Sequence, residues 1–77
     1  MTDLKVYSGE VIWFHVEFGY GFIAWQKDGI AQPDMFAHFS DIELEGFKLL
    51  KAGQQVSFTI GKNNEGKPKA VDIRIIE

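Results

Sequence analysis

Two runs of flat side chains at strand spacing are the residues of this chain best suited to do chemistry. Tyr20 and Phe22 alternate with glycines, and Phe36 and His38 alternate with apolar residues. Because successive side chains of a strand point to opposite faces, each pair sends both rings to one face. Two such strands side by side would carry four flat side chains. That surface suits unpaired nucleic-acid bases, each of which gains about 1 to 3 kcal/mol by stacking on an aromatic ring.

The glycines beside the first pair of rings need an explanation of their own, since glycine packs poorly and weakens a strand. Gly19 and Gly21 leave nothing bulky opposite the rings of Tyr20 and Phe22. We interpret them as room for a flat ligand that lies against the rings and close to the backbone.

The residues that catalysis or metal binding would require are scattered or missing. A general base needs a partner and a pocket, and no nucleophile or group of metal ligands accompanies His38. The chain has no cysteine and only two histidines, too few for a structural zinc site. We therefore predict that the protein is not an enzyme, with no catalytic residue, no metal and no cofactor.

Length, composition and charge restrict the class of protein further. We expect one domain, residues 1–77, that buries about 60% of its unfolded surface and has little room for a deep cleft. No apolar run approaches the roughly 20 residues of a membrane span, and no signal peptide is evident, so we expect a cytoplasmic protein. The net charge of −3 argues against duplex DNA bound through its phosphates but allows a single-strand binder that relies on stacking.

Five predicted strands must position the rings. Their approximate bounds are residues 10–16, 19–25, 34–39, 56–60 and 70–76. Asp28 and Gly29 form a hairpin turn signal between the second and third strands, and residues 40–50 are predicted as a loop with at most one short helical turn. Alternation in the fourth strand places Val56, Phe58 and Ile60 on one face. Alternation in the fifth strand likewise places Val71, Ile73 and Ile75 on one face. The pattern predicts an all-β fold, a small closed or nearly closed barrel.

Five blocks of residues, in order and nearly spanning the chain, form a larger pattern. They are Gly-x-Val-x-Trp-Phe at 9–14, Gly-Tyr-Gly-Phe-Ile at 19–23, Phe-x-His-Phe-Ser at 36–40, Gly-Phe-Lys at 46–48 and Gly-Gln-x-Val-x-Phe at 53–58. Together these blocks resemble the bacterial cold-shock domain. The resemblance implies a five-stranded antiparallel OB-fold barrel that binds single-stranded RNA or DNA. It also implies an RNA chaperone that acts in the cold-shock response or in regulation of gene expression.

The resemblance extends the set of candidate binding residues. The base-stacking positions that it implies are Trp13, Tyr20, Phe22, Phe36, His38, Phe39 and Phe47. We add Phe14 as a further ring, and Lys48, Lys67 and Lys69 as candidate contacts to phosphate. Simple alternation would place Trp13 on the same face as Val11, so the exposure of Trp13 rests on the resemblance alone.

The chain departs from the family pattern near the rings. Ile12 and Phe18 stand where the family usually has lysine, His15 stands where it usually has asparagine, and residues 24–33 form a longer segment than is common. We expect a larger and less charged binding surface. Trp25 and Phe18 lie outside the implied stacking positions. We expect them to pack partly against the long loop, and the alternative is that they add stacking surface.

A different class of function fits the same rings. A contiguous apolar patch without basic flanks also suits a protein partner or a second copy of the chain. The long connection over residues 39–54 would let two chains exchange their C-terminal strands, so a monomer and a strand-swapped homodimer both remain open.

Overall fold

The computed structural model of the protein describes residues 5–43 and 49–76. Its strands are β1 (Tyr7–His15), β2 (Tyr20–Lys27), β3 (Ile30–Ala31), β4 (Met35–His38), β5 (Gln55–Lys62) and β6 (Pro68–Ile75). A 3-10 helix of one turn, Phe39–Asp41, follows β4. Across the described ranges, no helix has the length and apolar character needed to cross a membrane.

The strands close into a barrel. Neighbouring strands follow the order β1, β5, β6, β4, β2, and β2 pairs back onto β1, while the two-residue β3 only extends the hairpin that leaves β2. This confirms the predicted all-β, five-stranded OB-fold barrel. One contact is parallel, with Ala37 of β4 opposite Ala70 of β6. Strand directions can alternate around a closed ring only if the number of strands is even, so a ring of five must contain a parallel neighbour.

The inner face of the barrel forms a single hydrophobic core. Its buried members are Val11, Ile23, Trp25, Met35, Ala37, Ile42, Leu50, Val56, Phe58, Ala70 and Ile73. Met35 and Ala37 are inner residues of β4, as alternation predicts, which leaves the other two side chains of that strand for the outer face. The sequence pattern of β4 therefore assigns its two faces correctly.

Alternation fails in β6 because this strand contains a β-bulge. Ser57 pairs with Arg74 and Thr59 with Val71, so β6 has one residue more than β5 over this stretch. Asp72 lies in the bulge with a φ of 52°, in the left-handed region. As a result the buried side chains of β6 are Ala70 and Ile73, three residues apart, and the prediction that Val71 shares the face of Ile73 is wrong.

The connection between β2 and β4 is anchored to the core by Trp25. Asp28 and Gly29 both have positive φ, 54° and 80°, as expected for the two central residues of a tight hairpin turn. Trp25 is buried, and its Nε1 donates a hydrogen bond to the carbonyl oxygen of Pro33 at 3.0 Å. Its ring lies edge-on to Tyr7, with centroids 5.0 Å apart. Trp25 is thus a core residue, more deeply packed than the sequence suggested.

A half-buried ion pair joins the 3-10 helix to β6. Lys69 Nζ lies 3.0 Å from Asp41 Oδ2, and the two side chains are 24% and 17% exposed. Within residues 5–43 and 49–76 this oxygen, which is buried, has no other polar partner. The Lys69 ammonium is therefore the group that compensates for the desolvation of the Asp41 carboxylate.

Replacing Lys69 with Met should lower the free energy of unfolding by about 2 kcal/mol, because the Asp41 carboxylate would lose its partner while staying buried. A double-mutant cycle with Asp41→Asn, followed by urea denaturation, should give a coupling energy of at least about 1 kcal/mol. The Glu65–Lys67 pair is a matched control: its atoms are 3.9 Å apart and both side chains are 74% exposed. Its coupling should stay below about 0.5 kcal/mol, and equal values in the two cycles would contradict the prediction.

Candidate functional site

A β-bulge in β1 turns Trp13 to the outer face of the barrel. Val11 pairs with Ile23, but Trp13 pairs with Phe22, so Ile12 is an extra residue between them. An extra residue reverses the face on which every later side chain of the strand lies. Val11 is buried in the core, whereas Trp13 is half-buried outside it. Simple alternation is therefore wrong at Trp13, and the resemblance places it correctly.

Six rings form two rows across the outer face of β1, β2 and β4. The register places Trp13, Phe22 and Phe36 in one row and His15, Tyr20 and His38 in the other. These six residues are called the aromatic face below. Four of them, Tyr20, Phe22, Phe36 and His38, are the flat side chains that alternation placed on one surface. All six are half-buried or exposed, so they pack against one another while keeping part of their surface open to solvent.

The rings of the aromatic face contact one another mainly edge to face. Trp13 and Phe22 have centroids 5.2 Å apart at 61°, and Phe22 and Phe36 have centroids 5.8 Å apart at 72°. Tyr20 lies diagonally across from Phe36, at 5.5 Å. Such pairs contribute about 0.5 to 1.5 kcal/mol beyond the area that they bury. These contacts hold the rings in fixed orientations while their outer surfaces remain accessible.

Two further rings continue the aromatic face beyond the row of His15, Tyr20 and His38. Phe39, the first residue of the 3-10 helix, is exposed and lies 4.6 Å from His38. Phe18, in the turn between β1 and β2, is 62% exposed and stacks on Tyr20, with centroids 5.9 Å apart and planes at 22°. Phe18 therefore adjoins the rings, and the expectation that it packs against the loop of residues 24–33 finds no support among its contacts.

Ser40 fixes the orientation of the His38 ring. The Ser40 backbone N–H donates to His38 Nδ1 at 3.2 Å, and the Ser40 hydroxyl lies 2.9 Å from the same nitrogen. A nitrogen that accepts a hydrogen bond from an N–H group carries no proton, so the neutral imidazole carries its proton on Nε2. His38 thus offers a ring face together with an N–H donor at its far edge.

Gly21 of β2 and Gly19 of the preceding turn are required by the fold rather than by a ligand. A Cβ on Gly21 would clash with the Trp13 carbonyl oxygen and lie 2.7 Å from Phe14 Cα, because the backbone of β1 passes close to it. Gly19 has a φ of 77°, and a Cβ there would lie 2.8 Å from the ring of Phe39. The interpretation of these glycines as room for a flat ligand is therefore wrong, although the rings beside them do face outward.

Phe14 lies on the opposite face of β1 from Trp13 and His15. It is half-buried, pairs with Gly21 and packs against the hydrophobic core. The structure therefore does not bring Phe14 into the aromatic face, because the bulge at Ile12 directs its side chain inward. Its selection as a binding residue needs correction for this reason.

The candidate phosphate contacts differ in their availability. Lys67 is 74% exposed and lies 3.9 Å from Glu65, whereas Lys69 is held by Asp41. Phe47 and Lys48 lie outside the described residues. Where the chain is described, no group of three or more His, Cys, Asp or Glu side chains is arranged to hold a metal ion.

Sequence reasoning missed His15 as a member of the aromatic face. The signal was its spacing of two residues from Trp13, which puts both on one face of β1 once Trp13 is known to point outward. Their rings are 5.0 Å apart. The missing information was the bulge at Ile12.

Comparison with known proteins gives a consistent family match. Residues 7–76 match the family model described as "'Cold-shock' DNA-binding domain". The chain is 45% identical over 69 residues to a "Cold shock-like protein" of Thermotoga maritima, covering 90% of this chain and 97% of the relative. It is 46% identical over 66 residues to the "Major cold shock protein CspA" of Bacillus cereus, covering 86% and 91% of the two chains.

Gly21→Ala should destabilise the barrel by at least about 3 kcal/mol, because its Cβ would meet the backbone of β1, which cannot move without opening the bulge. Gly29→Ala is the matched control: no atom lies within 4 Å of its Cβ, and only the positive φ opposes the substitution. We expect a loss of about 1 kcal/mol there. Thermal denaturation followed by circular dichroism would compare them, and equal losses would argue against a close approach at Gly21.

Proposed function

The chain belongs to the cold-shock domain family, and we propose from this premise that it binds single-stranded RNA or DNA through the aromatic face. The observation that carries the proposal is the cross-strand register that aligns six rings on one outer surface. Every base has a π-face, so such a surface can stack unpaired bases of any sequence. Bases of a duplex are already stacked on each other and offer no free face, which favours single strands.

The same interaction would make the protein an RNA chaperone. Stacking of three or four bases, at about 1 to 3 kcal/mol each, is comparable to the stability of a short RNA stem. Binding therefore traps the unpaired form and opens weak secondary structure by competition, with no nucleotide hydrolysis and no covalent step. This role suits the cold-shock response, in which RNA secondary structure becomes more stable as temperature falls. We assign the protein no enzymatic activity and place its action in the cytoplasm.

We assign separate roles to the groups in and around the aromatic face. Trp13, Tyr20, Phe22 and Phe36 supply stacking surfaces, and His38 adds a ring face with the Nε2 donor at its edge. Phe39 continues the surface at one end. Of Lys67 and Lys69, Lys67 is the more available to a phosphate, because it is 74% exposed whereas the charge of Lys69 is already engaged by Asp41. Phe47 and Lys48 remain proposed contacts on the strength of the resemblance.

Tyr20→Ala and Phe36→Ala should each weaken binding of oligo-dT or oligo-U at least fivefold, since each removes a stacking surface worth about 1 kcal/mol or more. Fluorescence anisotropy of a labelled oligonucleotide would measure the affinity. Ile30→Ala serves as a control, because Ile30 is an exposed apolar residue on β3, away from the aromatic face. Circular dichroism would verify that each variant remains folded.

A second readout distinguishes nucleic-acid binding from self-association. Stacked bases should quench the indole of Trp13, whereas Trp25 is sealed in the core and should respond little. Size-exclusion chromatography with and without the oligonucleotide gives the oligomeric state. The proposal would be contradicted if both ring variants kept the affinity of the unmodified protein and if the protein formed a dimer that oligo-dT did not alter. The aromatic face would then be better explained as a protein interface.

The affinity should depend only weakly on salt, because Ile12 and Phe18 occupy positions where the family usually has lysine. Each neutralised phosphate of a single strand contributes about 0.7 to the slope of log affinity against log salt. We expect a slope of magnitude below about 2.8, the value for four phosphates. The double variant Ile12→Lys, Phe18→Lys should raise it by about 1.4. A steeper slope in the unmodified protein would refute the prediction.

A further inference from the structure

We propose that His15 and Phe18 form an additional subsite for one unpaired base, beside Tyr20 at the turn between β1 and β2. The inference rests on the proposed function and deepens it, since it extends the bound strand by one nucleotide beyond the rings that the family resemblance implies. Neither His15 nor Phe18 belongs to that implied set.

The geometry at this turn continues the aromatic face without a break. The Phe18 ring is 5.3 Å from His15 and 5.9 Å from Tyr20, and its plane deviates from that of Tyr20 by 22°. His15 in turn lies 5.0 Å from Trp13. A base that stacks on the open side of Phe18 would therefore lie nearly parallel to the ring of Tyr20. At 62% exposure, Phe18 has the free surface that such a contact requires.

Backbone hydrogen bonds fix the turn that carries Phe18. The Gly19 N–H donates to the His15 carbonyl oxygen at 2.7 Å, and the Gly19 carbonyl oxygen accepts from the Phe39 N–H at 2.8 Å. The first bond closes the turn, and the second ties it to the segment after β4. A turn whose backbone is already ordered loses little backbone entropy on binding, so more of the stacking energy is available for affinity.

The charges of the turn indicate which part of a nucleotide is bound. Residues 16–19 are Val-Glu-Phe-Gly and contain no lysine or arginine, while the carboxylate of Glu17 is exposed. A phosphate would be repelled by Glu17 and would find no cation in this segment. The contact is therefore with the face of a base, and it carries little sequence preference because all bases stack. In this chain a ring replaces the charge that the family usually places at position 18.

The test compares affinity across oligo-dT lengths from three to eight nucleotides for the unmodified protein and for Phe18→Leu and His15→Gln. Leucine keeps the apolar surface of Phe18 but has no π-face, and Val16→Ala controls for the loss of exposed apolar surface in the same turn. As the strand is lengthened, the affinity of Phe18→Leu should stop increasing at a length one nucleotide shorter than that of the unmodified protein. On the longest strands Phe18→Leu should bind on the order of tenfold more weakly, His15→Gln a few-fold more weakly and Val16→Ala unchanged.

A positional probe locates the extra base. With 2-aminopurine placed at each position of the strand in turn, one end position should be quenched by the unmodified protein and recover its fluorescence in Phe18→Leu. Identical length profiles and identical quenching in the two proteins would overturn the subsite while leaving the proposed function intact. If the unmodified protein binds no strand of any length, the proposed function itself fails, so the two outcomes are distinguishable.

Discussion

The close passage of β1 over Gly21 is the contact on which the surface of this protein depends. The bulge at Ile12 can form only where the neighbouring strand has no side chain to obstruct the Trp13 carbonyl group. Once the bulge is in place, Trp13 and His15 turn outward and Phe14 turns toward the core. The absence of a Cβ at Gly21 thereby decides which side chains of β1 lie on the outer surface that β1 forms with β2 and β4.

The aromatic face presents an energetic problem that its own packing resolves. Exposed rings are costly in water, yet the proposed stacking of bases requires rings that stay accessible. Edge-to-face contacts, such as that of Trp13 with Phe22, bury the sides of the rings and leave their outer surfaces free. Hydrogen bonds from Ser40 to His38 and from Phe39 to Gly19 fix the borders of the surface. The rings are consequently held in position by the protein itself, so on the proposed function a base would meet a surface that is already ordered.

The size and the net charge of the domain both bear on how it could recognise a ligand. A domain of this size has no interior left for a ligand once its core is filled, so recognition falls to the outer face. The chain carries a net charge of −3, and Lys69 is committed to Asp41. On the proposed function, a chain with a net negative charge must obtain most of its affinity for a nucleic-acid strand from contacts to the bases. Ile12 and Phe18, where the family usually has lysine, shift the balance in that direction.

The sequence by itself determined the barrel, the hairpin turn at Asp28 and Gly29, and the outward faces of β2 and β4, because each follows from local alternation or turn chemistry. Only the tertiary structure decided the faces of Trp13, Phe14 and Val71, since a β-bulge depends on how two strands pair and leaves no periodic signal in either strand. It also decided that Lys69 is engaged by Asp41, a contact between residues far apart in the chain. Periodicity describes one strand at a time, whereas register belongs to a pair of strands.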